Sequence, residues 1–492
     1  MTATDRSRWI ALVVLCTGML MIILDSAIVN VALPPIQSDL GFSQSSLAWV
    51  VNGYLIPFGG LLLLAGRLGD LIGRRTIFLA GLVVFTSASL VCGLAGSQEV
   101  LIGARLVQGA GGALTSSVIL GIIITMFTEP GEQAKAIGVF SFVASAGASI
   151  GLLAGGFLTQ GIDWHWIFFV NVPIGVATGL LALRYVRRDE GIGLHAGADV
   201  AGGVLVTSSL MLGVYTILET ANYGWGSPRT LGLGALALAL LAAFVVRESR
   251  TANPLVPLDI FRSREIAGAN LVQVLTVAGI FGMFFLGVLY LERVLGYGPI
   301  ETGLAFLPVS TLIGILSLGF SARLSQRYGP VPVLLPGLAL IAIGLIAFAR
   351  VPVDGSYVSD LLPVMIPLGL GAGLFFPALT TLAVSGVAPD EAGLASGLVN
   401  TSLQVGGSIG LAVLATLAAT RSDDLLANGD PTASALTGGY HYAFVVAAGL
   451  VVAAIVVALT VLRGGRLRPA EQEETARRLD FDVAEPAYSE AA

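Results

Sequence analysis

Charge is what this sequence has least of. Asp, Glu, Lys and Arg make up 11% of its 492 residues, against roughly 25% in soluble proteins. Hydrophobic residues reach 55%, and the mean hydropathy is +0.88. That balance excludes an ordinary soluble domain and leaves an all-α polytopic membrane protein. Cysteine is nearly missing. Cys16 and Cys92 both fall inside apolar runs, so no disulfide framework or zinc cluster is available and no metal site is expected. No G-x-x-x-x-G-K-[S/T] loop occurs, which argues against an ATP-driven pump within the chain. Nothing points to an enzyme or a cofactor, and no segment is basic and aromatic enough for nucleic acid. The N-terminal apolar stretch lacks a convincing cleavage site, so the first span is expected to stay. The net charge of −6 decides little, because the charges are sorted by side.

What charge there is falls between apolar runs. Fourteen runs are long enough for a helix to cross a hydrocarbon core of about 30 Å. They are 9–33, 46–65, 76–96, 99–127, 135–159, 165–184, 200–219, 230–247, 268–291, 301–321, 331–350, 358–384, 393–419 and 440–462. With the N-terminus inside, twenty of the 25 basic residues lie in cytoplasmic loops or tails. Arg229, Arg293, Arg350 and Arg421 fall outside, and Arg105 lies within a span. The asymmetry predicts a multi-pass protein of the cell (inner or plasma) membrane with both termini cytoplasmic. Trp164 and Trp166 fall at the expected outer interface, where aromatic belts form.

One stretch stands out, Gly66-Arg67-Leu68-Gly69-Asp70-Leu71-Ile72-Gly73-Arg74-Arg75. So short a loop forces the flanking spans into an antiparallel pair. Its glycines allow a tight turn, and Asp70 sits where it could face a neighbouring helix N-terminus. The pattern resembles the signature loop of the major facilitator superfamily, G-x-L-(a/g)-D-r-x-G-r-r. That resemblance implies two six-helix bundles with a substrate between them. It also implies a latch between the halves, carried here by Gly66, Asp70, Gly73, Arg74 and Arg75.

An internal repeat fits the same architecture. Arg67, Leu68, Gly73 and Gly81 match Arg323, Leu324, Gly329 and Gly337. Ala136, Gly138, Gly147 and Ser149-Ile150-Gly151 match Ala395, Gly397, Gly406 and Ser408-Ile409-Gly410. Parallel six-helix repeats are how facilitator halves are built. The expected organisation is a six-helix bundle in residues 1–188, two inserted linker helices in 189–265, a second six-helix bundle in 266–463, and a disordered cytoplasmic tail in 464–492.

Asp25 is the carboxylate that can be placed well inside the bilayer, about 17 residues and so about 25 Å past the cytoplasmic end. An ionisable group there is costly and marks a functional site by default; a salt bridge that only fixes packing is the alternative. The surrounding Leu24-Asp25-Ser26-Ala27-Ile28-Val29-Asn30-Val31-Ala32-Leu33-Pro34 resembles the first-helix motif of the 14-span drug:proton antiporter branch (QacA/EmrB-like), with Ala27 where threonine is more usual. Leu101 to Ala113 resembles the superfamily's fourth-helix motif, with Arg105, Gln108, Gly109 and Gly111 in place. Arg105 lies about 9 Å below the outer surface, close to the depth of Asp25. An opposite charge favours the ionised carboxylate while desolvation disfavours it. A pair that opens and closes with conformation would therefore take up and release a proton.

Gly147, Gly151 and Gly155 recur every fourth residue on the fifth span, with Gly156 adjacent. Small residues at that spacing let helix backbones approach closely. The resemblance makes this the antiporter motif, although Leu152 stands where proline is usual. Asp163 to Pro173 again resembles this branch. Asn30, Gln108, Asn400 and Gln404 are candidates for a substrate cavity, although polar packing between helices would look the same.

The resemblance implies a monomeric secondary active exporter of amphipathic small molecules, a drug or multidrug efflux protein driven by proton antiport. Its partners are then the substrate, protons and the lipid bilayer. A dedicated exporter of one metabolite, antibiotic, siderophore or lipid is an alternative. A proton-coupled uptake symporter is another, left open by Leu152.

Overall fold

The computed structural model describes residues 3–127, 129–189, 191, 193, 199–251, 254–385 and 392–462. The expected tail, 464–492, lies outside them. Every regular element among the described residues is helical: α1 (Ala3–Leu40), α2 (Ala48–Ile72), α3 (Arg74–Gly93), α4 (Gln98–Met126), α5 (Pro130–Gly161), α6 (Trp166–Phe169), α7 (Asn171–Tyr185), α8 (Val200–Tyr223), α9 (Pro228–Glu248), α10 (Arg264–Arg293), α11 (Pro299–Ala305), α12 (Leu307–Ile315), α13 (Ser321–Tyr328), α14 (Pro330–Phe348), α15 (Leu362–Ser385), α16 (Ala392–Ala427) and α17 (Thr432–Val461). Large apolar side chains such as Val13, Val83, Leu94, Phe157, Leu180 and Val358 point outward, as they do when lipid is the solvent.

Twelve helices among the described residues are long and apolar enough to cross a membrane, where hydropathy gives fourteen spans. The fifth and tenth runs account for the difference. The fifth is the continuous α5, whose described apolar stretch is only Ile150–Gly161. The tenth is divided into α11, α12, a π-helical turn at Leu316–Phe320, and α13. Pro308 stands at the start of α12. Its missing amide proton fits a helix start and interrupts a continuing ladder.

The sequence repeat reappears as the same joints in both halves. Gly73 and Gly329 turn the corner between consecutive helices at φ 109° and 90°, a region that strains any residue with a Cβ. A Cβ at Gly81 of α3 would lie 2.6 Å from the Thr115 amide of α4; one at Gly337 of α14 would lie 3.0 Å from the Gly371 carbonyl of α15. Gly151 of α5 packs on Leu24 and Ala27 of α1, and Gly410 of α16 packs on Ala278 of α10.

The inserted pair forms a hairpin laid over the seam between the halves. On one side α8 meets α2, where a Cβ at Gly60 would lie 2.6 Å from Thr207 Oγ1. On the other it meets α16, with Thr416 Oγ1 donating to the Ile217 carbonyl at 3.3 Å. Its partner α9 exposes Leu231, Leu236, Leu238 and Val246 on the outside. At the hairpin's base Asp199 accepts from the Gly202 amide at 2.8 Å and from Arg247 Nε at 2.6 Å. The Glu248 carboxylate accepts from the Val256 amide at 2.8 Å.

Candidate functional site

Asp25 and Arg105 meet in the interior of the first half. Asp25 Oδ2 lies 2.6 Å from an Arg105 terminal nitrogen, and the side chains are 0% and 1% exposed. The second carboxylate oxygen, Oδ1, accepts from Gln108 Nε2 and Asn171 Nδ2, each at 2.8 Å. Arg105 donates further, from Nε to the Val50 carbonyl at 3.0 Å and to Gln108 Oε1 at 2.8 Å. Its guanidinium carbon lies 4.4 Å from the centre of the Tyr54 ring. Ser89 closes the network: it accepts from Gln108 and Asn171 and donates to the Phe168 carbonyl at 3.0 Å.

Taking two charges out of water costs several kcal/mol per ion unless the pair is also well hydrogen-bonded. Here the carboxylate accepts three bonds from side chains and the guanidinium has three acceptors. The arrangement is complementary to ionised Asp25. A proton on that carboxylate would turn an acceptor into a donor facing N–H groups, so proton and Arg105 compete for the same oxygens. No solvent reaches Asp25 in this arrangement.

The α5 glycines lie directly behind this site. A Cβ at Gly147 would lie 3.0 Å from Ile23, one at Gly151 would lie 3.0 Å from the Leu24 carbonyl, and one at Gly155 would lie 2.8 Å from the Ile28 carbonyl. Gly156 turns the other way. A Cβ there would lie 2.6 Å from the Pro299 carbonyl in the second half. Leu152, in the usual proline's place, is buried, and its carbonyl lies 2.7 Å from where a Cβ of Gly303 would stand. One helix thus touches α1 on both sides of Asp25 with one face and the opposite half with the other.

The 66–75 stretch is not a ten-residue loop: α2 continues to Ile72 and α3 starts at Arg74, with Gly73 alone between them. Asp70 does not face a helix N-terminus. It pairs with Arg74 at 3.0 Å, one helical turn away across the α2–α3 corner, and Arg74 also donates to the Gly121 carbonyl of α4. The carboxylate at a helix start is Asp189, which accepts from the amides of Arg74 at 2.7 Å and Arg75 at 3.0 Å. Arg75 reaches the Leu183 carbonyl of α7. Gly69 permits the close approach of α2 to Val118, whereas Gly66 makes only ordinary contact with Ser117.

The four cavity candidates separate. Gln108 belongs to the buried Asp25 network. Asn30, half-buried, donates back to the Ser26 and Ala27 carbonyls of its own helix. Gln404 packs on Gly59 across the α2–α16 seam, with Cβ 2.6 Å from where a Gly59 Cβ would be. Asn400 is exposed. Trp164 also departs from expectation. It is buried, with Nε1 donating to Asp39 at 3.0 Å, while Trp166 is 46% exposed.

Asn171, Ser89 and Asp189 were not singled out from sequence. Asn171 stands within the Asp163–Pro173 stretch, and that motif was the available signal. Ser89 and Asp189 carry none, since neither belongs to a recognisable pattern.

The comparisons with known proteins agree with this architecture. The family model described as Major Facilitator Superfamily matches residues 15–411. The chain is 39% identical over 479 residues to the puromycin resistance protein pur8 of Streptomyces alboniger, covering 96% of this chain and 94% of that protein. It is 36% identical over 421 residues to the cephamycin export protein CmcT of Amycolatopsis lactamdurans, covering 85% and 86%. Among solved structures, an inward-facing bacterial homolog of the human lysosomal transporter Spinster superposes with a TM-score of 0.66 at 18% identity, over 93% of this chain and 98% of that one. Fold, signature loop and family match agree: the chain belongs to the major facilitator superfamily.

Proposed function

We propose that this chain exports amphipathic small molecules from the cell by exchanging them for protons, with Asp25 as the proton carrier and Arg105 as its competitor. The observation that carries the reading is the buried, hydrogen-bonded Asp25–Arg105 pair. A charge pair inside a membrane span is expensive and by default functional. Two relatives are named as a resistance protein and an export protein, which favours export over uptake.

On this reading the chain crosses the cell membrane fourteen times, α5 and the broken α11–α13 segment supplying the two crossings beyond the twelve. Bundles 1–188 and 266–463 flank the inserted helices, and both termini are cytoplasmic. The 66–75 loop acts as a latch that favours one access state, and the protein works as a monomer. A second reading, a dedicated exporter of one product, is favoured by the names of these two relatives, which specify puromycin and cephamycin.

A substrate panel in a pump-deficient strain separates these readings. Resistance to several unrelated amphipathic compounds, lost when the proton gradient is collapsed, is expected for multidrug antiport. Resistance to one compound alone would support the dedicated exporter. Enhanced sensitivity across the panel would point to uptake and overturn the proposal.

A further inference from the structure

Two carboxylates meet at the base of the inserted hairpin, each with one oxygen bonded and one left bare. Asp199 caps the start of α8 and Glu248 ends α9, and each is 3% exposed. Asp199 Oδ1 accepts from the Gly202 amide and from Arg247 Nε, and Glu248 Oε2 accepts from the Val256 amide. The remaining oxygens, Asp199 Oδ2 and Glu248 Oε1, are buried and meet no donor. Both converge on Gly202, where a Cβ would lie 2.6 Å from the first and 2.8 Å from the second. Any side chain at 202 would fill the space that the two oxygens share.

A buried oxygen without a donor is costly, and two bare anions side by side in a dry place also repel. One hydrogen answers both problems, since a protonated carboxyl donates across the gap and carries no charge. The described groups around the pair supply no other donor. Arg247 addresses Oδ1, and α2 presents the apolar Leu64 at Gly203. Asp259 and Arg262, in the turn at Leu258–Arg262, are exposed and pair with each other. No third His, Cys, Asp or Glu joins the two among the described residues, which disfavours a divalent cation, an ion that gathers many oxygen ligands. We propose that Asp199 Oδ2 and Glu248 Oε1 hold one proton between them, and that this shared proton keeps the hairpin clasped to the start of the second half.

The clasp follows from what Glu248 holds with its other oxygen. Val256 packs on Ile260, on Ile266 of α10 and on Leu398 of α16, so its amide ties the hairpin to the second half. Loss of the proton leaves two buried anions, and separating them draws Glu248 away from that amide. The stabilisation is therefore present at low pH and is lost as the proton leaves. On the topology proposed above, the hairpin base faces the cytoplasm, so the clasp loosens when the cytoplasm turns alkaline.

The test compares melting temperatures of full-length wild type and E248Q between about pH 6 and 10, in detergent, where sidedness plays no part. A glutamine amide donates to Asp199 Oδ2 and still accepts from Val256, but it cannot lose its hydrogen to base. The two proteins should melt together at the acid end, and wild type should fall progressively below E248Q as the pH rises. Should E248Q not fold, D199N makes the same comparison from the opposite carboxyl. An offset that stays constant across the range would overturn the shared proton. Hydrogen exchange of the Val256 amide, compared at equal pH, should be faster in wild type than in E248Q at the alkaline end alone. Equal exchange throughout would overturn the clasp. At the alkaline end, sodium chloride is also compared with choline chloride at equal ionic strength. Stabilisation of wild type by sodium that is missing in E248Q would make sodium the occupant and overturn the proton.

Discussion

Asp25 and Arg105 are each tolerable in the membrane interior because the other is there. Removing one partner of a buried pair leaves a bare charge and costs about 3–5 kcal/mol, whereas replacing both with neutral groups is often tolerated. Arg105→Ala should therefore lower the thermal stability of purified protein markedly, and adding Asp25→Asn should restore most of it without restoring transport. A double variant as unstable as Arg105→Ala alone would mean that Arg105 acts through packing on Tyr54 and not through Asp25. The pair itself was legible in the sequence, because ionisable residues are rare in apolar runs and helix rise puts both at one depth. Its neutral partners were not. Asn171 and Ser89 look like any polar residue in a span, and only the packing of α3 and α7 against α1 turns them toward the carboxylate.

At the scale of elements, α5 and the 66–75 corner carry the movement that the proposal requires. Gly156 lets α5 touch the Pro299 carbonyl of the other half. Gly156→Leu should pry that contact open and increase external labelling of a cysteine placed at Gln160 several-fold, since small differential energies move a two-state population. Unchanged labelling would remove α5 from the gate. At the corner, Asp70 and Asp189 have separable jobs. Asp189→Ala removes a helix-start acceptor worth about 0.5–2 kcal/mol and should lower the melting temperature. Asp70→Asn should impair transport and leave expression and ligand binding largely intact; Arg323→Ala in the second loop should do less. Equal transport defects for Asp70→Asn and Arg323→Ala would end the case for a specialised first loop. The loop's outline could be read from Gly73 and its neighbours. Asp189 could not, because nothing in a sequence says that the chain after α7 folds back onto α3. Nor did hydropathy register the break at Pro308, since a run stays apolar whether or not its helix is continuous.

For the whole molecule, the repeat predicts one common framework with one asymmetric site. Gly73 and Gly329 turn alike, and Gly151 and Gly410 pack alike. Yet among the described ion pairs, Asp25–Arg105 is the one with both side chains buried, and it lies in the first half. On the proposed reading the seam with α16 and the α8–α9 hairpin accommodate the movement of the first half. Sidedness is checked by single cysteines at Arg74 and Asp423 in a cysteine-free background. A membrane-impermeant reagent on intact cells should reach the second and spare the first, and ready labelling at Arg74 would contradict the fourteen-span topology. The most direct test of the account is substrate-induced proton release from detergent-solubilised protein between about pH 5 and 9. Adding a cationic substrate should release protons from the wild type and none from Asp25→Asn. Release that survives Asp25→Asn unchanged would contradict the account and leave the Asp25–Arg105 pair a structural salt bridge.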